Sequence, residues 1–220
     1  MLIANVSPRT GGKTTDSGLL ARALRTTKSK TAPNGRLVKG FDADHSKQFW
    51  QWAQTAEFDF PVDALASARF HREYELASDV IGVVDCGHTE NHPDITDSVL
   101  RVADLVILHM APTSGDFERI VEPVDKTTIA DMIKRCAPLR EDGTPPPAVV
   151  LMNRTVANAS SVKNYRKEMT AEGWDVLTAT IPRNEKLAQA IGFPLPERMT
   201  GPFAGFEAVV LELEQRGILS

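Results

Sequence analysis

A short glycine-containing segment near the start of the chain carries side chains suited to binding a polyphosphate. It reads SPRTGGKTT over positions 7–15 and directly follows the apolar stretch 1–6. Glycines let a backbone turn approach phosphate oxygens closely, and the N–H groups of the turn and of a following helix favour an anion. Lys13 would reach the β- and γ-phosphates of a nucleotide, and the Thr14 hydroxyl would bind Mg²⁺. These residues predict a phosphate-binding loop (P-loop).

The segment departs from the usual pattern GxxxxGK[ST], because Ser7 stands where the pattern has its first glycine. A plain glycine turn that caps a helix would explain the same residues. Placement directly after the first predicted strand favours the P-loop. Under that interpretation the residues that bind the nucleotide are Gly11, Gly12, Lys13, Thr14 and Thr15.

Aspartates follow two further apolar stretches. Asp42 and Asp44 end the second apolar stretch of the chain, and Asp85 ends the third. The carboxyl ends of strands form the ligand edge of an open α/β sheet, where carboxylates can hold Mg²⁺ or orient an attacking water. Asp42 and Asp85 are the candidate carboxylates for Mg²⁺, and Asp44 is the candidate for the water. Side chains alternate along a strand, so Asp42 and Asp44 point the same way. The alternative is that each aspartate caps the helix after it.

These residues need a parallel sheet to bring them together, and the chain has the corresponding pattern. Apolar, β-branched stretches predict strands at 1–6, 36–42, 80–85, 104–110, 147–152 and 175–181. Helical stretches alternate with them, at about 13–27, 45–56, 66–77, 94–103, 115–136, 158–171, 184–191 and 203–216. Several strands are almost continuously apolar, which indicates burial on both faces. We therefore predict one α/β domain over residues 1–220, with a mainly parallel central sheet flanked by helices on both faces.

Composition narrows the classes of function. The chain has 220 residues, and no apolar stretch approaches the ~18 residues of a membrane span. The segment 206–219 carries an apolar stripe, and its remaining, polar positions are rich in Glu. A membrane-targeting helix would carry Lys and Arg there, so this composition argues against one. The formal net charge of −4 argues against a globally basic nucleic-acid-binding protein and leaves room for a local basic patch. We expect a cytoplasmic protein without a membrane partner.

The order of six motifs resembles one known family. GGKTT, FDADHS, VVDCG, ILHMAPTSGDFE, VVLMNRT and TATIPRN follow one another from about Leu2 to Pro194. The order is similar to that of the ParA/MinD group of deviant Walker A P-loop ATPases, and most similar to the small plasmid and phage ParA partition ATPases. The resemblance implies ATP and Mg²⁺ as cofactors. It also implies phosphate and magnesium roles for Lys13 and Thr14, a Walker B role for Asp85, and a water-positioning role for Asp44, with Asp42 beside it.

The same resemblance implies which residues bind the adenine base, and this sequence departs from the family's pattern at one important position. It implies that the adenine pocket is lined by Asn153, Arg154, Pro182 and Arg183. The family's signature lysine, which reaches the partner's phosphates across an ATP-bound dimer, is replaced here by Pro8. Arg9 is the candidate substitute, because a guanidinium can bind phosphate with two hydrogen bonds. An Arg9 that faces solvent without such a role is the alternative.

The family further implies a dimer that forms with ATP, binds DNA without sequence preference, and meets a centromere-binding (ParB-like) partner during DNA partition on the nucleoid. The candidate DNA-binding residues are Lys163, Arg166, Lys167 and Lys186, for which a solvated helix face is the alternative. Two rival functions stay open. One is a metabolic P-loop enzyme of the same superfamily, and the other is a positioning adaptor that hydrolyses ATP weakly or not at all.

Overall fold

A computed structural model describes residues 1–9, 12–89, 92–122 and 127–219 of the chain. Within these ranges the sheet has seven strands, all parallel, in the order β3-β2-β4-β1-β5-β6-β7. The strands are β1 (Leu2–Val6), β2 (Leu37–Ala43), β3 (Val62–Ala64), β4 (Val80–Cys86), β5 (Leu105–Met110), β6 (Ala148–Thr155) and β7 (Asp175–Pro182). The α/β fold with a parallel central sheet is confirmed.

Helices cover both faces of this sheet. They are α1 (Lys13–Thr26), α2 (Gln48–Thr55), α3 (Phe70–Glu73), α4 (Pro93–Leu100), α5 (Ser114–Val121), α6 (Ile129–Cys136), α7 (Ser160–Ala171), α8 (Glu185–Ala188) and α9 (Ala204–Gln215). One apolar core joins the sheet to α1, α2, α8 and α9, and a second core joins the opposite face to α3, α4, α5, α6 and α7. Both faces of the central strands are thereby buried, as their continuous apolar sequences predict.

The C-terminal helix α9 lies in the first core. Its apolar stripe through Phe206, Val209, Val210 and Leu213 is fully buried against β7 and α1. Among the described residues, no helix combines the length and the apolar character needed to cross a bilayer.

Three predicted helices differ from the structure. The stretch 184–191 contains only the four residues of α8. The stretch 115–136 contains two helices, because Thr128 caps a new one: its hydroxyl accepts a hydrogen bond from the Asp131 N–H at 3.0 Å. The stretch 66–77 contains only the single turn of α3. There Phe70 and Tyr74 pack against Phe41 of β2, with ring centroids 5.6 and 6.2 Å away, so tertiary contacts override the helical pattern.

A short edge strand was not predicted. β3 consists of three residues and pairs with β2 from Gly40↔Val62 to Asp42↔Ala64. Three residues after a proline carry too little periodicity to indicate a strand, and the neighbouring strand supplies the hydrogen bonds that define this one. β3 adjoins the segment of β2 that ends at Asp42.

Candidate functional site

A large cleft lies at the carboxyl edge of the sheet and has a volume of about 1130 Å³. Its walls come from the β1–α1 turn, the loops after β2, β4 and β5, and the ends of β6 and β7. This volume slightly exceeds the range of about 300–1,000 Å³ that is usual for small-molecule sites. The cleft brings together nine of the predicted site residues, namely Gly12, Lys13, Thr14, Thr15, Asp44, Asn153, Arg154, Pro182 and Arg183.

The turn between β1 and α1 ends at a glycine that the site requires. Gly12 has φ +83°, a left-handed conformation that other residues rarely adopt, and α1 begins at the next residue. A Cβ at Gly12 would also lie 3.2 Å from Nδ2 of Asn153. The loop backbone and the Asn153 side chain therefore pack closely, and a side chain at position 12 would have to displace Asn153 by a few tenths of an ångström. Two residues of the predicted loop, Thr10 and Gly11, lie outside the described residues.

The ammonium group of Lys13 is held inside this turn. Its Nζ donates to Ser7 Oγ at 2.9 Å and to the Arg9 carbonyl oxygen at 3.1 Å, and the residue is 5% exposed. Burial lowers the pKa of Lys13, while nearby carboxylates, Asp85 foremost, oppose that shift. Ser7, the departure from the usual loop pattern, thus supplies a hydroxyl that accepts from the lysine. A bound phosphate would add charge-assisted hydrogen bonds to this buried cation.

Asp85 lies beneath the first turn of α1. Ser17 Oγ donates to its Oδ1 at 3.2 Å, and the Thr14 side chain also forms a hydrogen bond with it. Burial raises the pKa of Asp85 to about 7, against the opposing effect of Lys13. A hydroxyl and a carboxylate in contact are a donor set that suits a hard cation such as Mg²⁺.

The two aspartates at the end of β2 have different environments. Asp44 is half-buried, lines the cleft, and accepts a hydrogen bond from the Ser46 N–H at 3.0 Å. Asp42 is fully buried, and its two carboxylate oxygens accept from the N–H groups of Asp44 at 3.0 Å and Trp50 at 2.8 Å. Burial raises the pKa of Asp42. These contacts favour the helix-capping interpretation for Asp42, because Trp50 lies in the first turn of α2.

The opposite wall of the cleft is built by the end of β6. Arg154 adopts a left-handed backbone conformation, φ +53°, and its N–H donates to Asn153 Oδ1 at 2.6 Å. The pairing of β6 with β7 shifts register on both sides of Met152, and such bulges re-aim side chains beside binding sites. Arg183, after β7, donates its backbone N–H to the Thr155 carbonyl at 2.8 Å. The predicted base-binding residues thus occupy adjacent strand ends.

A chain of buried polar side chains runs beneath the cleft, and the sequence interpretation did not include it. Asn5 Nδ2 donates to Ser17 Oγ at 2.9 Å, and Asn5 Oδ1 lies 2.9 Å from His109 Nε2. His109 Nδ1 lies 2.8 Å from Asp16 Oδ2, which also accepts from Asn153 Nδ2 at 2.5 Å. The signal was present, because Asn5 and His109 interrupt otherwise apolar strands.

Arg9 does not line the large cleft. It lines a separate cavity of about 270 Å³ together with Ser7, Asp116 and Arg119. Asp116 Oδ2 in turn accepts from the Ala111 N–H at 2.8 Å. The guanidinium role that the sequence predicts for Arg9 stays a prediction.

The four candidate DNA-binding residues divide between two helices on opposite faces of the sheet. Lys163 and Lys167 are exposed on α7, and Lys186 is exposed on α8. Arg166 donates to the carbonyl oxygens of Leu177 and Thr178, the second at 3.2 Å. Arg166 therefore fastens α7 to β7, and the two lysines one helical turn apart are the exposed cations of that face of α7.

Comparison with known proteins gives similarity at the level of structure. No family model and no curated protein matches the sequence. A putative plasmid partition protein from Borrelia burgdorferi, solved with AMPPNP, superposes with a TM-score of 0.65 at 13% identity over 98% of both chains. The pNOB8 ParA protein, solved with nonspecific DNA, gives 0.52 at 13% identity over 98% of both chains.

A metabolic enzyme shares the same architecture. Cobyrinic acid a,c-diamide synthase from Mycobacterium smegmatis, solved with an ATP analogue and magnesium, gives a TM-score of 0.62 at 14% identity, over 98% of this chain and 96% of that one. Identities this low show a shared fold. The chain has the α/β P-loop fold of the ParA/MinD-type ATPases.

Proposed function

We propose that the protein is a ParA-like ATPase, a switch that dimerises with ATP and Mg²⁺ and binds DNA without sequence preference. The observation that carries the proposal is the arrangement of Lys13, Thr14 and Asp85 around the first turn of α1, opposite the Asn153–Arg154 wall. A buried cation, a hydroxyl–carboxylate pair and a helix N-terminus all suit a magnesium-bound polyphosphate.

Each residue has a distinct task in hydrolysis. Lys13 stabilises negative charge on the phosphoryl group that is transferred, and Thr14 and Asp85 would hold Mg²⁺, which would supply further charge neutralisation. Asp44 faces the cleft and orients the attacking water. Gly87 keeps space for this carboxylate, because a Cβ at Gly87 would lie 3.3 Å from Asp44 Cγ.

Partition of plasmid or phage DNA is the biological output we propose. The ATP-bound dimer would hold nucleoid DNA and meet a centromere-binding partner that stimulates slow hydrolysis. Support comes from the likeness to two partition proteins and from the exposed pair Lys163 and Lys167 on α7. Because the chain carries a net charge of −4, we expect DNA affinity to be modest and to fall steeply with salt.

Two observations favour rival functions. The likeness to an amide-forming synthase favours a metabolic enzyme, whose phosphate release would depend on an added metabolite and would ignore DNA. Pro8 at the position of the signature lysine favours an adaptor that binds ATP and partners and releases no phosphate.

Calorimetric titration with ATP–Mg²⁺ tests the nucleotide site, with Lys13→Ala as the variant and exposed Lys28→Ala as the matched control. We expect Lys13→Ala to lower affinity at least about tenfold, since a hydrogen bond to a charged group contributes about 1.5–3 kcal/mol. Lys28→Ala should bind as the native chain does. Equal affinity of the native chain and Lys13→Ala would refute the proposed site. A phosphate-release assay with DNA, and then with candidate metabolites, separates the switch from its rivals.

A further inference from the structure

We propose that the guanidinium group of Arg154 binds the α- and β-phosphates of the nucleotide rather than its base. The family resemblance assigns Arg154 to the adenine pocket, whereas the contacts of its side chain and backbone favour the phosphates. The inference rests on the proposed nucleotide binding. It adds a second cation to the phosphate site that Lys13 serves.

The guanidinium of Arg154 lies beside the phosphate loop. A Cβ built on Gly12, the residue directly before α1, would lie 3.7 Å from Nη2 of Arg154 and 3.9 Å from its Nε. Both residues line the large cleft, together with Lys13 and Thr14. Burial raises the pKa of Asp16, in the first turn of α1, and the charge of Arg154 is among the influences that oppose this rise. The positive charge therefore lies at the end of the cleft where α1 begins.

A strained backbone holds Arg154 in this position. Arg154 has φ +53°, a left-handed conformation that is uncommon for a residue other than glycine. Such conformations cost free energy and persist where surrounding contacts fix them, often beside ligands. The Asn153 carboxamide supplies these contacts, since its Oδ1 accepts from the Arg154 N–H at 2.6 Å and its Nδ2 donates to Asp16 Oδ2 at 2.5 Å. Both ends of the carboxamide are engaged within the protein, so Asn153 is a positioning residue for Arg154.

A guanidinium at this place suits the phosphate chain. In a P-loop the backbone N–H groups of the turn surround the α- and β-phosphates, and the lysine reaches the β- and γ-phosphates. Gly12 is the last residue of that turn, so a group beside Gly12 is within reach of the α- and β-phosphates. In the described part of the chain no carboxylate forms an ion pair with Arg154. Its N–H donors can therefore bind phosphate oxygens, with two parallel hydrogen bonds where the geometry allows.

Binding of four ligands in the presence of Mg²⁺ separates a phosphate contact from a base contact. The ligands are ATP, ADP, inorganic triphosphate, which has no base, and adenosine, which has no phosphate. The variants are Arg154→Ala, which keeps a Cβ and therefore a similar backbone preference, and Asn153→Ala, which releases the bend at residue 154. The control is Arg72→Ala, at an exposed position on α3 away from the cleft.

We expect Arg154→Ala to raise the dissociation constants of ATP, ADP and triphosphate by about tenfold or more, the contribution of one hydrogen bond between charged groups. The dissociation constant of adenosine should stay unchanged. Asn153→Ala should give the same pattern, and Arg154→Ala carries the comparison if Asn153→Ala does not fold. Arg72→Ala should bind all four ligands as the native chain does.

Several results would overturn the inference. Weaker adenosine binding with unchanged triphosphate binding would return the altered residue to the base. Equal weakening of all four ligands would assign it a structural role, and weakening of ATP and triphosphate without ADP would place it at the γ-phosphate. Unchanged binding of every ligand by Arg154→Ala would refute the inference and leave the proposed function standing. A native chain that binds no nucleotide would refute both.

Discussion

Substitution of Asp85 by Asn should stabilise the nucleotide-free protein increasingly from about pH 5 to about pH 7 and by a constant amount above that. Asp85 is fully buried, and burial raises its pKa from 3.8 to about 7. An asparagine resembles the protonated carboxyl in size and can still accept the hydrogen bond from Ser17. The variant therefore removes the cost of a buried charge and keeps the packing.

The sign and size of this stabilisation follow from the linkage between proton binding and folding. The unfolded chain releases the Asp85 proton near pH 3.8 and the folded chain near pH 7, so the folded state holds an extra proton between these values. The stabilising contribution is complete below about pH 4 and is lost as the pH rises through about 7. A difference of about three pKa units corresponds to about 4 kcal/mol, a large part of the ~5–15 kcal/mol stability of a typical domain.

Urea unfolding without nucleotide or Mg²⁺, at several pH values from 5 to about 8, measures this difference. We expect the free energy of unfolding of Asp85→Asn to exceed that of the native chain by an amount that grows from pH 5 to about 7 and then levels off. Asp79→Asn, at an exposed position, removes the same formal charge and should follow the native pH profile. Parallel pH profiles for the native chain and Asp85→Asn would refute the claim that burial raises the Asp85 pKa.

Two glycines give further predictions. Gly12→Ala should lower the free energy of unfolding by about 1–2 kcal/mol and also weaken ATP binding. Gly173 is the control, because it has a similar φ of +87° and open space around it. Gly173→Ala should lower the free energy of unfolding without changing ATP binding. Equal loss of ATP affinity in both would contradict the contact at Gly12. Gly18→Ala should cost about 1–3 kcal/mol in urea unfolding, because its Cβ would lie 2.5 Å from the Trp52 ring. A stability gain, as helix propensity alone predicts, would show that this packing is not tight.

The sequence predicts the layers of this fold well because each layer has a local signature. Continuous apolar stretches such as 80–85 identify strands buried on both faces, and the structure places them in the centre of a parallel sheet. The P-loop residues are adjacent in sequence, so Lys13 and Thr14 could be assigned together. Asp44 and Asp85 could be placed at the same edge, because parallel strands end there, whereas Asn153 was assigned through the family resemblance.

Other features depend on contacts that a sequence pattern does not encode. Whether Asp42 faces a ligand or caps α2 depends on where that helix begins, and the structure directs its carboxylate to the Trp50 N–H. His109 and Asp16 are 93 positions apart, and each looks unremarkable in its own element. Arg166 has the spacing of a surface cation and binds two carbonyl groups of β7 instead. Long-range polar contacts of this kind appear only once the sheet order is known.

Binding to a random-sequence DNA duplex at about 100 mM salt tests the central claim most directly. The titration is made with ATP–Mg²⁺, with ADP and without nucleotide, for the native chain, Lys13→Ala and the charge-reversed Lys163→Glu/Lys167→Glu double variant. We expect DNA binding that requires ATP, is lost in Lys13→Ala and is weakened in the double variant. A folded native chain that binds no DNA in any nucleotide state would contradict the proposed DNA-binding switch.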